Sequence, residues 1–229
     1  MTSMDEIRKQ KLTQSAGRIK DFIHKYSEEF NEISSELKQK ILNSKAHELR
    51  RDICDNKLYS SKAAVLVYCF ASIEANEKTN CLTEILFQEA IDNAVRLDEH
   101  LKQSNSPIGP FHGIPFSIKD TFDIKGFGNV ELERKKNSNC FFTDSTVGLI
   151  KYCFSEKDYS SILVNEIIRL GGIPFVKTNV PQTLMSFECS NPLWGTTSNP
   201  FDKSLSPGGS SGGEAALIAA RGSIIGLGR

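Results

Sequence analysis

The stretch Ser206-Pro207-Gly208-Gly209-Ser210-Ser211-Gly212-Gly213-Glu214 constrains this chain more than any other. Its glycines and serines alone would describe a flexible linker. The residues downstream argue otherwise. Ala215–Arg221 is a run of strong helix formers, and Ser211 with Glu214 three residues on has the spacing of a capping box. The glycines therefore stand at a helix N-terminus, where a missing Cβ permits close backbone approach and free N–H groups favour negative charge. A Walker-type phosphate loop is excluded, because no Lys-Ser or Lys-Thr pair follows the glycines.

Ahead of that stretch the chain divides at about residue 47. In the first part Leu12, Ala16, Ile19, Ile23, Tyr26, Phe30, Ile33 and Leu37 recur in steps of four and three, a heptad stripe that predicts one amphipathic helix. Three uses remain open for it: packing on its own domain, pairing with a second copy, or contact with a membrane surface. From Glu48 to Glu99 the pattern predicts two or three helices. Ser60-Ser61 caps one over Ala63–Ile73, and helical spacing runs from Leu82 to Leu101. Ile114–Ile124 alternates as a strand, with Phe116, Ile118 and Phe122 on one face and Ser117, Lys119 and Thr121 on the other. A helix over Tyr159–Leu170, stopped by Gly171-Gly172, leads into a strand at Ile173–Lys177. Gly222–Leu227 is a further candidate strand. Together these predict an α/β fold, a helical layer followed by a sheet covered by helices.

Charge and cysteine content narrow the partners. Lys plus Arg and Asp plus Glu both number 28, so there is no general attraction to nucleic acid. The six cysteines are scattered without a C-x-x-C pair, which indicates neither a zinc site nor a disulfide framework and fits an intracellular, reducing compartment. The apolar run Ala63–Ile73 is short of the ~20 residues that span a bilayer. The expected location is the cytoplasm or the surface of an internal membrane.

Three blocks, in order, carry a family resemblance. Pro207–Glu214 with the Ala-rich run and Gly226-Leu227-Gly228 resembles the amidase signature, in a Gly-Gly-Ser-Ser-Gly-Gly-Glu form most like the fatty-acid amide hydrolase branch. Gly113-Ile114-Pro115-Phe116-Ser117-Ile118-Lys119-Asp120 is similar to the family's Gly-(Val/Ile)-Pro-x-x-x-Lys segment. Thr178–Gln182, Phe187–Pro192 and Ser198–Pro200 have the look of the same branch. The resemblance runs from about Leu49 to Gly228 and implies residues 48–229 to be part of a mixed-sheet amidase core. A polar stretch at about 127–143 departs from the pattern and reads as a surface-loop insertion, with translated non-coding sequence as the alternative.

What the resemblance implies is hydrolysis of a carbon–nitrogen amide bond by a Ser-Ser-Lys mechanism, with no metal or cofactor. Lys119 would be the base, which requires a neutral amine and hence burial. Ser210, preceded by a cis peptide, would relay the proton. Ser211 is set aside for the relay because capping accounts for it. Ser206, Ser223 and His112 read as ordinary loop or strand-edge residues. Leu184, Met185 and Phe187 would line the path of a long-chain acyl amide, with core packing as the alternative. The family's nucleophile lies just after Gly-Leu-Gly-Thr, whereas this sequence reads Gly226-Leu227-Gly228-Arg229. The expectation is a chain without its nucleophile, inactive and poorly folded alone; a non-catalytic isoform pairing through its N-terminal helix is the alternative.

Overall fold

The computed structural model describes residues 3–125, 143–155 and 157–229. All but Thr143 of the insertion read at 127–143 lies outside them. The first helix, α1 (Met4–Glu32), opens on Ser3, whose side chain accepts from the Glu6 amide while Glu6 reaches back to the Ser3 amide. It is not the single helix to Leu37 that the heptad stripe predicts. Ile33 turns extended, and Ser34 starts α2 (Ser35–Asn43) by accepting from the Leu37 amide. After α3 (Ala46–Cys54) comes α4 (Ser61–Thr79), with Ser60 as its N-cap accepting from the Ala63 amide at 3.0 Å. Ser60→Ala is expected to cost about 1 kcal/mol in a denaturant melt, since the orphan amides of that end lose their acceptor. An unchanged midpoint would show that the Asp98 carboxylate, which accepts from the Ser61 and Lys62 amides, suffices.

The helical spacing from Leu82 to Leu101 conceals two elements. Leu82–Ile85 is a strand, β1, and only Phe87–Ser104 is helix, α5. β1 pairs antiparallel with β3 (Ile173–Thr178), with Leu82 opposite Thr178 and Ile85 opposite Val176. β3 in turn runs parallel to β2 (Pro115–Lys119), where Lys119 faces Thr178, and β2 runs parallel to β6 (Gly226–Leu227). The sheet order is thus β1-β3-β2-β6 and the sheet is mixed. A separate two-stranded ribbon joins β4 (Ser190–Asn191) to β5 (Gly195–Thr196).

Helices cover both faces. On one, α4, α5 and α7 (Gly212–Ala219) bury Val65, Leu66, Ala90, Leu217 and their neighbours against Phe175 and Val176 of β3. On the other, α6 (Ile162–Arg169) packs Val164 and Ile167 on Phe116 and Ile118 of β2. Since β2 is buried on both sides, Ser117 and Lys119 on its second face are enclosed as well.

α1 lies on the same domain, with Ile19, Tyr26 and Phe30 of the heptad stripe packed in or against the main core, but toward the helix N-terminus the docked face shifts by one residue. Phe22 and Tyr26 enter the main core, while toward the helix N-terminus the inward positions are Lys11, Ser15 and Arg18. These are held by polar contacts: Lys11 to Glu84 and Asp144, the Ser15 hydroxyl to the Thr83 carbonyl, Arg18 to the Ile85 carbonyl. Ile23 of the predicted stripe is left 36% exposed, because the helix meets polar partners before it meets apolar ones. Among the described residues no helix is long and apolar enough to cross a membrane.

Candidate active site

Lys119 ends β2 and is 1% exposed. Its Nζ donates to Ser210 Oγ at 2.7 Å and, at 3.4 Å, to the Arg229 carbonyl. Ser210 follows a cis Gly209–Ser210 peptide and stands two residues before α7. The structure thus brings together two residues 91 positions apart. Burial pushes the Lys119 ammonium below its ordinary value and the Arg229 charge adds to the push, while Cys189 and Glu214 act in the opposite direction. A depressed lysine amine paired with a serine hydroxyl is a base with a proton donor already in contact.

The loop is fixed by close packing. A Cβ on Gly209 would stand 2.6 Å from the Ser186 carbonyl oxygen and 2.9 Å from the Phe187 carbonyl carbon. One on Gly212 would meet Cys189 Cβ at 2.5 Å. Gly213 sits against the Asn179 backbone and donates to the Asn179 carbonyl at 3.1 Å. Gly209, Gly212 and Gly213 are therefore required by space, whereas Gly208 has open space and is set by its φ of +86°.

The capping box is not formed. Ser211 makes no side-chain cap and has φ −97°, ψ 34°, away from the extended backbone that a cap uses. Its hydroxyl donates to the Arg229 carbonyl at 2.7 Å and accepts from the Arg229 amide at 2.9 Å. Glu214, the other half of the expected box, turns inward and accepts from Ser117 and Thr178. Sequence reasoning missed Ser117, Thr178 and Glu214 around Lys119; Ser117, two residues before Lys119 on the same strand face, was the one available signal.

Of the residues read as substrate-binding, Met185 and Phe187 are each 89% exposed and Leu184 is half-buried, so core packing does not explain the first two. Their segment includes the Gln182–Leu184 turn and abuts Gly209, beside Ser210. His112 is enclosed and its Nδ1 accepts from the Ile108 amide. Ser206 accepts from the Gly208 amide, and Ser223 donates to the Ile225 carbonyl. Cys189 is buried, which pushes its thiol up and leaves it a poor nucleophile.

The family model named Amidase matches residues 63–229. The chain belongs to the amidase family. Among its relatives, Amidase 2 of Gibberella moniliformis is 43% identical over 155 residues, which is 68% of this chain and 27% of that protein. Fatty acid amide hydrolase 1 of Caenorhabditis elegans is 41% identical over 165 residues, 72% of this chain and 26% of that one. The chain thus spans about a quarter of the length of these relatives. A solved fatty acid amide hydrolase superposes with a TM-score of 0.79 at 26% identity, covering 98% of this chain and 39% of the other. That coverage takes in α1. A bacterial aryl acylamidase of the amidase signature family shares the fold, with a TM-score of 0.66 at 23% identity over 77% of this chain and 33% of that one.

Proposed function

We propose that this chain carries the base and the proton relay of an amide hydrolase acting on long-chain acyl amides. The contact of Lys119 Nζ with Ser210 Oγ at 2.7 Å, made by a lysine shut away from water, carries the reading. Neutral Lys119 draws a proton from Ser210, and Ser210 replaces it with the proton of the attacking serine hydroxyl. That oxygen bonds to the amide carbon, and the proton returns through Ser210 to the nitrogen as the carbon–nitrogen bond breaks. Water then repeats the sequence on the ester, releasing the acid and regenerating the serine.

In the family the attacking serine lies just after a Gly-Leu-Gly-Thr segment, and among the described residues of this chain none is assigned that part. Ser211 is engaged with the Arg229 backbone on both sides of its hydroxyl. Exposed Met185 and Phe187 beside the Ser210 loop suit an apolar acyl chain, and the relatives called fatty acid amide hydrolase support the same substrate class.

The test is release of ammonia from a long-chain primary acyl amide (about C16) by this chain joined to a segment that carries the attacking serine, with Lys119→Met in the same longer protein as the comparison. A fall of about 10²–10⁴-fold in kcat is expected from loss of a general base. Equal, measurable rates in the two longer proteins would overturn the reading. An independent check follows the Lys119 Nζ by nuclear magnetic resonance, where the resonance absent from Lys119→Met should titrate below the ordinary value of ~10.4. A midpoint at or above it would remove Lys119 from the base role.

A further inference from the structure

The carboxyl of Glu214 ties the helix that follows the Ser210 loop to the strands that hold Lys119. The residue lies in the first turn of α7, four residues after Ser210, and is 4% exposed. Both oxygens are engaged from the sheet: Ser117 Oγ donates to Oε2 at 2.6 Å and Thr178 Oγ1 donates to Oε1 at 2.8 Å. Those two hydroxyls bracket the lysine, since Ser117 precedes it by two residues in β2 and Thr178 is its register partner in β3. The third strand makes room, because a Cβ at Gly226 of β6 would collide with Glu214 Oε2.

We propose that Glu214 is the positioning residue of the Lys119–Ser210 pair. It clamps α7, and with it the Ser210 loop, onto β2 and β3, and its charge governs how readily Lys119 loses a proton. The inference rests on the reading of Lys119 as base. The ionisable groups acting in this region are Lys119 from β2, Cys81 from the turn before β1, Cys189 before β4, and Arg229 across Lys119. Burial holds the Cys81 thiol neutral, pushed up to about 12, so Glu214 is the acid whose charge changes near neutrality. Burial pushes its carboxyl up to about 7, against the pull of Ser117, Thr178 and Lys119. Once ionised it favours the ammonium form of Lys119; while protonated it exerts no such hold.

Glu214→Gln separates clamp from charge. The amide keeps the shape, and the hydroxyls have other acceptors, the Ile225 carbonyl at 3.3 Å from Ser117 and the Ile118 carbonyl at 3.5 Å from Thr178. The Lys119 Nζ midpoint should fall by about one unit relative to the unsubstituted protein, the size of effect expected from removing a nearby opposite charge. Thr178→Val keeps the acid but takes away one donor, so it should move the midpoint in the same direction by less.

A midpoint that is depressed in the unsubstituted protein and unmoved in both folded variants would overturn the inference while sparing Lys119 as base. An undepressed midpoint in the unsubstituted protein would instead overturn the base assignment. If Glu214→Gln fails to fold, Thr178→Val carries the test. Unfolding of both would reject a role confined to the pair, because a structural brace alone predicts loss of fold without a shifted titration.

Discussion

Gly213→Ala is expected to destabilise the protein by about 2–3 kcal/mol, although alanine is the better helix former by ~1 kcal/mol. The added Cβ would stand 2.5 Å from the Asn179 carbonyl oxygen and 2.9 Å from its Cα, and would collide with its amide nitrogen. Every one of these neighbours is backbone, so no side chain can swing aside. Asn179 is itself pinned: its amide donates to the Cys81 carbonyl at 2.8 Å, Oδ1 accepts from Asn191 at 2.7 Å, and Nδ2 donates to Thr197 at 3.0 Å. The strain must therefore move α7, which draws Ser210 away from Lys119. Gly17 provides the opposite case. It lies in α1 with nothing within 4 Å of its Cβ position, so Gly17→Ala should gain about 0.5–1 kcal/mol. Urea melts of the two variants decide the matter, and a Gly213→Ala protein as stable as its parent would show that the helix start yields freely.

Signals confined to a few neighbouring residues were legible. The Ser60 cap, the glycine stop at Gly171-Gly172 and the β2 face that separates Phe116 from Lys119 all depend on local chemistry, and the fold uses each as the sequence suggests. The strand read over Ile114–Ile124 nevertheless stops at Lys119, where the Thr121 and Phe122 amides turn back onto its carbonyl. The Lys119–Ser210 pair became legible through motif resemblance, for no local pattern joins residues 91 positions apart. All but one of the misreadings share one cause. Leu82–Ile85 has helical spacing, yet its backbone finds partners in β3 and the following Leu86 amide donates to Phe175, all about ninety residues later.

The capping box failed in the same way. Ser-x-x-Glu is the right local pattern, but Ser117 and Thr178 offer Glu214 two hydroxyls from a sheet that only the fold assembles. Toward the N-terminus of α1 the docked face follows Lys11 and Arg18 rather than the apolar stripe, because their partners lie on β1 and in the segment before Val147. The break at Ser34 differs, being a missed local signal: its serine caps α2 as Ser60 caps α4, and the regular heptad spacing masked it.

Lys11→Met should lower stability by about 3–5 kcal/mol, the usual consequence of leaving a buried charge without its partner. The Lys11 ammonium is 2% exposed and lies 2.7 Å from both Glu84 Oε1 and Asp144 Oδ2. Methionine fills a similar volume, so the loss is electrostatic rather than a cavity. Glu84 would keep the looser ion pair with Arg18 at 3.5 Å, and Asp144 would keep the Phe154 amide at 2.6 Å.

The pH dependence identifies the cause. Burial pushes the Glu84 carboxyl above its ordinary value, against the pull of Lys11 and Arg18. For such a group the fold favours the protonated form, so the penalty of ionising it is absent below the unfolded value and grows as pH rises through the folded one. Removing Lys11 takes away the first of those pulls and enlarges the penalty. The gap between Lys11→Met and its parent should therefore be wider at about pH 7 than at about pH 5, and Glu84→Gln in the Lys11→Met background should recover part of it. A gap independent of pH, or a double variant no more stable than Lys11→Met, would place the stabilisation in packing instead. If the electrostatic account holds, the consequence reaches the site. Lys177 donates to the Asp144 carbonyl at 2.5 Å and pairs with Asp120, the residue after Lys119, at 3.1 Å, so freeing Asp144 loosens the end of β2 that sets the lysine in place.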